Sequence, residues 1–195
     1  MQKTPTQNQI NTLLNYYKER NYPEAEKLAL SFTKKFPDDS FAWKVLGVVL
    51  KQKGKLSQSI IYFKKALSIN PQDFETYYNL GNTYKVLNEF QQSENNYKKA
   101  ISLNPNFTDA YNNLGAILRE LGRLEESETA YKKAIQLKED FTDAYNNLGV
   151  TLRELRKLEE SKSSYLKAIS LNPNFADAYN NLGVTLRELR KLEES

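Results

Sequence analysis

Asn106-Phe107-Thr108-Asp109-Ala110-Tyr111-Asn112-Asn113-Leu114-Gly115 returns as Asp140-Phe141-Thr142-Asp143-Ala144-Tyr145-Asn146-Asn147-Leu148-Gly149, and again as Asn174-Phe175-Ala176-Asp177-Ala178-Tyr179-Asn180-Asn181-Leu182-Gly183. The spacing is 34 residues, and it extends outward in both directions. Gly47 and Gly81 precede Gly115, Gly149 and Gly183 in one register. Trp43, Tyr77, Tyr111, Tyr145 and Tyr179 share a second register, and Ala66, Ala100, Ala134 and Ala168 a third. Pro37, Pro71, Pro105 and Pro173 fill a fourth, with Glu139 taking that place once. A fixed period of this length is the mark of a repeat array, in which each unit buries its apolar face against its neighbours.

Positions are numbered from 1 within units that begin at Ser40, Phe74, Thr108, Thr142 and Ala176. The array is thereby divided into 40–73, 74–107, 108–141, 142–175 and a truncated 176–195. Residues 1–39 form a divergent helix pair or cap, which keeps Ala25, Phe36 and Pro37 but has Leu13 where the other units have glycine. Within a unit, apolar residues at 4, 7 and 11 form one stripe at about 100° per residue, the pattern of an amphipathic helix. This predicts a helix A over roughly positions 1–14 and a helix B over roughly 17–31, hence an all-α fold. Glycine in mid-helix costs about 1 kcal/mol against alanine. Its return at position 8 calls for a compensating close approach of helix B over helix A. Ser at position 20 (Ser59, Ser93, Ser127, Ser161) and Ala at 27 keep that contact small, while Phe63, Tyr97, Tyr131 and Tyr165 at 24 fill the groove. Proline at 32 ends helix B. Position 15 is the tight turn. Gly54, Asn88 and Gly122 suit a left-handed backbone there, while Arg156 and Arg190 suit it less, predicting strain or another turn type.

An aromatic at 4, Leu-Gly at 7–8, a small residue at 20, an aromatic at 24, Ala at 27 and Pro at 32 together resemble the tetratricopeptide repeat over nearly the whole chain, with Ser in place of Ala at 20 as the systematic departure. The stretch Asn106 to Gly115 is similar to repeats of O-linked N-acetylglucosamine transferases and their bacterial relatives. The resemblance implies a right-handed superhelical solenoid of antiparallel helix pairs. It also implies A helices on a concave face that grips protein or peptide.

Composition narrows the chemistry. The chain has 195 residues, 39% of them hydrophobic and 27% charged, a net charge of +4, no cysteine and no histidine. Its mean hydropathy is −0.70. Zinc-finger sites, cysteine nucleophiles, histidine bases and Ser-His-Asp triads are excluded within these residues. Neither a catalytic nor a metal-binding set is assigned, and no cofactor is expected. Lys and Glu alternate along the helices, so the positive charge gives little reason to expect an anionic partner. Met1-Gln2-Lys3-Thr4-Pro5 leads into a polar stretch without a signal-peptide core, and no long apolar run appears, so a cytoplasmic protein without a membrane span is expected. Asn106-Phe107-Thr108 fits a glycosylation acceptor, a chance match for such a protein.

The face of helix A opposite its stripe carries positions 2, 5, 6, 9, 12 and 13. A solvated face varies freely; here three ladders recur. Position 6 is Asn79, Asn113, Asn147 and Asn181, backed by Asn112, Asn146 and Asn180 at position 5 and Asn82 at position 9. Position 12 is Lys51, Lys85, Arg119, Arg153 and Arg187, and position 2 is Glu75, Asp109, Asp143 and Asp177. Recent duplication accounts for agreement among the last three units, but 74–107 differs at many exposed positions and still keeps Glu75, Asn79 and Lys85. Asparagine costs roughly 0.5–0.7 kcal/mol in a helix interior, so its repetition calls for a role. An amide donates and accepts, and so can hold an extended main chain whatever its side chains; in the transferases that these repeats resemble, Asn at this position does so. The competing role for the amides is a bond to a neighbouring helix or to water. Carboxylates at position 2 also suit the positive end of the helix dipole, and the basic ladder reads equally as solvated charge. Lys44, Asn79 and Asn82 make only part of a carboxylate clamp, which argues against capture of a C-terminus. The paired Lys64-Lys65, Lys98-Lys99 and Lys132-Lys133 read as outer-face charge.

The expected function is a scaffold that binds a protein or peptide as an extended segment. The alternative is a substrate-recruiting region of a larger enzyme, a glycosyltransferase of the O-GlcNAc type or a sulfotransferase. Nucleic acid is disfavoured because most aromatics lie at core positions 4 and 24 rather than on an exposed stacking face. Leu192-Glu193-Glu194-Ser195 is expected to open a helix B that leaves Tyr179, Leu182 and Leu186 uncovered, so the chain is read as the N-terminal part of something longer. The sequence leaves the oligomeric state open.

Overall fold

The computed structural model describes residues 4–194. The described residues are helical throughout their ordered elements, without a strand. Eleven helices follow one another among them: α1 Gln7–Lys18, α2 Tyr22–Lys35, α3 Ser40–Gln52, α4 Leu56–Ile69, α5 Phe74–Val86, α6 Phe90–Leu103, α7 Thr108–Glu120, α8 Leu124–Leu137, α9 Thr142–Glu154, α10 Leu158–Leu171 and α11 Ala176–Glu193. The chain falls into two compact units, residues 1–103 and 104–195. In the first, each of α1 to α5 packs on the helix that follows it, and α3 also touches α5. In the second, each of α7 to α10 packs on the helix that follows, and α7 touches α9 as α9 touches α11.

Helix pairs close over the recurring glycine. A Cβ built on Gly81 would lie 2.7 Å from the Tyr97 ring, and one on Gly149 would lie 2.6 Å from Tyr165. The missing side chain is therefore the space that the aromatic at position 24 occupies. The first pair solves the same problem with the sizes exchanged: Leu13 stands at position 8, and Ala29 stands where the later pairs have an aromatic, both fully buried. Serine at 20 does more than stay small. Ser93, Ser127 and Ser161 donate to the carbonyls of Gly81, Gly115 and Gly149 at 2.9, 2.8 and 2.7 Å. Ser127 and Ser161 also meet the hydroxyls of Thr151 and Thr185 in the next A helix. Ser59 instead bonds Leu56 within its own helix.

The turn residues at position 15 adopt the left-handed region at Arg20, Gly54, Asn88, Gly122 and Arg156. The amide after each bonds back to a carbonyl five residues earlier, as in Lys157 N to Leu152 O, the helix-ending pattern that needs this conformation. Arg156 thus takes the conformation an arginine disfavours. Arg190 departs from the expectation of a turn. α11 runs unbroken from Ala176 through Glu193, so no second helix starts at Leu192. The physical reason lies in the packing. At α3, α5, α7 and α9 a following helix folds back onto the stripe and offsets the cost of the left-handed residue. Among the described residues no helix folds back onto the stripe of α11, and helical backbone is there the lower-energy choice. Met1 to Lys3 and Ser195 lie outside the described residues.

Asparagine at 31 caps the end of helix B: Asn70, Asn104 and Asn172 accept the amides of Gln72, Asn106 and Asn174. Among the described residues no helix is long and apolar enough to cross a membrane.

Candidate functional site

The amides of positions 5 and 6 pair between successive A helices of the second unit. Asn147 Nδ2 on α9 donates to Asn112 Oδ1 on α7 at 3.2 Å, and Asn181 Nδ2 on α11 donates to Asn146 Oδ1 on α9 at 3.1 Å. Asn112, Asn147 and Asn181 are half-buried, Asn146 is 8% exposed, and Asn180, the last of position 5, is exposed. The bonds are possible because residues 35 apart in sequence sit side by side on adjacent, similarly oriented helices. Each pair uses the donor of position 6 and the acceptor of position 5. The NH2 of Asn112 and the carbonyl of Asn147 stay available on the same face, as a donor and an acceptor set in fixed orientation. Asn113, at position 6 of α7, is half-buried and also engaged.

The first unit uses its equivalents differently. Asn79 Oδ1 accepts from Lys51 Nζ at 3.5 Å, and Asn82 Oδ1 accepts from the hydroxyl of Tyr97 at 2.7 Å. The latter bond satisfies a phenol that is otherwise fully buried. Burial pushes the Lys51 ammonium below its ordinary value. Lys44 is held between Asp73 at 3.0 Å and Glu75 at 2.9 Å. Burial opposes the charge on both Lys44 and Asp73. The ion pair nevertheless keeps Asp73 below, and Lys44 above, their usual ranges, helped at Asp73 by Thr76. The lysine of the partial carboxylate clamp is therefore already occupied.

The charged ladders are not drawn into a common pocket. Asp109, Asp143 and Asp177 lie exposed in the first turns of α7, α9 and α11, where they meet the positive end of the helix dipole. Arg119 pairs with Glu120 at 3.2 Å, and Arg153 lies 3.7 Å from Glu188. Arg187 is exposed, and Lys85 is half-buried and engaged. Among the described residues no group of three or more carboxylates stands where it could hold a metal ion.

One feature escaped the sequence. Glu128 at position 21 is 7% exposed, and its carboxylate is clasped by Lys132 of its own helix at 2.5 Å and by Lys157 of the next unit at 2.7 Å. Burial raises its pKa, but the two ammonium groups prevail and hold it below the ordinary value of 4.5. Glu26, also at position 21, meets Lys53 and Lys55, both of the next unit. The signal was a carboxylate at 21 followed by a lysine at 16 of the next unit, hidden because 40–73 and 142–175 have Ile60 and Lys162 at that place.

Helix pairs closed by glycine against an aromatic, repeated in register, define a helical repeat array whose A helices carry a face rich in amides. Family models agree. Models described as tetratricopeptide repeat match 74–107 and 142–175, and also 96–129 and 164–195, while one described as TPR repeat matches 47–88 and 115–155. The chain belongs to the tetratricopeptide repeat family. No curated protein sequence matches it. Among solved structures it is similar to MamA from Desulfovibrio magneticus RS-1, at 17% identity and a TM-score of 0.78 over 86% of this chain and 95% of that one. It is similar to YrrB, described as a TPR protein with an unusual peptide-binding site, at 23% identity and a TM-score of 0.73 over 83% and 84%. It is also similar to the first TPR of Spaghetti (RPAP3) bound to the HSP90 peptide SRMEEVD, at 25% identity and a TM-score of 0.60 over 61% and 94%.

Proposed function

We propose that the chain is a scaffold module that binds an extended segment of another protein along the A-helix face of α7, α9 and α11, by hydrogen bonds from the asparagine ladder to the segment's main chain. The observation that carries this reading is the amide pairing of Asn112 with Asn147 and of Asn146 with Asn181. Each bond locks two flexible amides in one orientation and so removes part of the ordering cost that a ligand would otherwise meet. The 34-residue repeat presents the same groups again one helix further on. Asn79 stands at position 6 of α5 in the first unit, with Asn82 at position 9. Arg119, Arg153, Arg187, Asp109, Asp143 and Asp177 supply a polar rim that favours partners by charge; Lys85 holds the same place in the first unit, on α5. The peptide held by the RPAP3 repeats supports a peptide as the ligand class. The engagement of Lys44 by Asp73 and Glu75 favours recognition along the chain of that peptide rather than at its carboxylate end. Recruitment of substrates to an enzyme domain would use this same face.

Protein captured from a cell extract by the chain and by its Asn147→Ala/Asn181→Ala variant tests the reading. The variant keeps its helix content and loses the partners. Equal capture by both would refute the role of the ladder. The pairing also has a purely structural use, as a staple between A helices. In that case the variant would lose stability, by about 0.5–1.5 kcal/mol for each bond, with capture unchanged.

A further inference from the structure

The outer face of α2 departs from the helices that hold the same place in later units, and the repeat serves as its own control. At positions 25 and 26, α4, α6 and α8 carry Lys64-Lys65, Lys98-Lys99 and Lys132-Lys133, and α10 carries Leu166-Lys167; α2 has Leu30-Ser31. At position 29 the later helices have Ser68, Ser102, Gln136 and Ser170, where α2 has Lys34. Position 22 is Lys27 in α2 and Ile61, Asn95, Thr129 and Ser163 after it. The exchange takes the long charged side chains off the middle of the helix and sets them one turn to either side. A groove of ≈ 440 Å³ results, lined by Pro23 and Leu30 and mostly apolar in its exposed wall. Lys27, Lys34 and Lys53 also line it, against Glu26 as its one carboxylate. Lys53 pairs with Glu26, while Lys27 stands 3.9 Å from Glu24 in an exposed pair. Because Lys53 belongs to the second helix pair, the groove lies where one pair already follows another, and not at an end of the array.

The spacing of these residues states what would fit. Lys27 and Lys34 flank Leu30 on one face of α2, about 10 Å apart along the axis at 1.5 Å per residue. We infer that this groove docks one acidic amphipathic helix of a binding partner, bearing an apolar residue with a glutamate or aspartate one turn to either side. The apolar side chain enters beside Leu30 and Pro23, and the two carboxylates meet Lys27 and Lys34. An extended segment matches the charges less well, because side chains on one of its faces recur at about 7 Å and its next repeat overshoots the second lysine. A second copy of the chain fits poorly as well, since two α2 faces set together bring lysine against lysine. The A-helix face that carries the asparagine ladder contributes no residue to this groove.

A synthetic alanine-based helix carrying a glutamate, a leucine three residues on and a second glutamate four further, labelled with a fluorophore and titrated into the whole chain, tests the inference. Saturable one-to-one binding is expected. It should weaken about tenfold or more when glutamines replace both glutamates, or when the protein carries Leu30→Lys/Ser31→Lys. That double variant restores the lysine pair that three later helices carry, so helix content stays unchanged while the groove is covered. Lys34→Glu, at an exposed residue, should weaken binding to a similar extent. Absence of binding would overturn the proposal. So would binding indifferent to Leu30→Lys/Ser31→Lys, which would place the peptide elsewhere, and equal binding of the glutamine peptide, which would remove the role of charge. Sedimentation equilibrium showing a dimer that the double variant dissociates would overturn it too, by assigning the groove to a second copy. The Asn147→Ala/Asn181→Ala variant should bind the helix as the parent chain does; a loss there would move the site to the asparagine face and overturn the assignment.

Discussion

At the scale of single residues, glycine at position 8 reads differently according to what faces it. Gly149→Ala drives a methyl into the Tyr165 ring, which is itself fully buried and has no room to move. The expected loss is about 1–3 kcal/mol, measured by urea denaturation. Gly183→Ala makes no such contact and removes the entropic cost of a helical glycine, for a gain of about 1 kcal/mol. Opposite signs for one chemical change at equivalent places in the repeat would establish that the ring, and not helix geometry, fixes this residue. The exchange of sizes at Leu13 and Ala29 makes a related prediction. Gly115→Leu and Tyr131→Ala should each destabilise strongly, and the double variant should recover at least about 1 kcal/mol of their summed losses in a double-mutant cycle. The sequence disclosed the glycine, the aromatic and the small residue at 20 because they recur in phase. It did not disclose that Ser127 bonds the Gly115 carbonyl, since a hydroxyl and a methyl at that position are the same to a pattern of sizes.

At the scale of the helix, the pair boundaries were legible from proline at 32 and from the stripe at 4, 7 and 11, whose 3.6-residue periodicity no strand can share. The pairing of Asn112 with Asn147 was not, because it depends on which neighbouring helix lies 35 residues away in space as well as in sequence. Arg156 at φ 60 was foreseen as strained, and Arg156→Gly should stabilise the turn, by about 1 kcal/mol in thermal or urea unfolding. The bridge from Glu128 on α8 to Lys157 at the start of α10 adds a dependence on pH. Its pKa is lowered in the fold from an ordinary 4.5, so its contribution is present above that value and lost as pH falls through the lowered one. Glu128→Gln should therefore reduce the denaturation midpoint at neutral pH, and the gap from the parent chain should close in acid. A gap that persists in acid strong enough to protonate the folded chain's carboxylates would assign the effect to packing instead.

At the scale of the whole chain, stability in a repeat array is a sum over units and the contacts between neighbours, so its weakest point is the helix with fewest partners. That helix is α1, which packs on α2 and buries Leu13. Hydrogen exchange should open its amides well before those of α9. The function rests on another face. If the asparagines grip a main chain, affinity depends on the ligand's amide groups and little on its side chains. The direct measurement is to select an extended peptide ligand and compare its affinity with two sets of derivatives, one N-methylated at successive backbone amides and one with successive side chains cut to alanine. Methylation at alternate positions should weaken binding about tenfold or more while most alanine changes stay within about threefold. Tolerance of methylation, with affinity lost instead through one or two side chains, would contradict the asparagine ladder as a rail for a main chain.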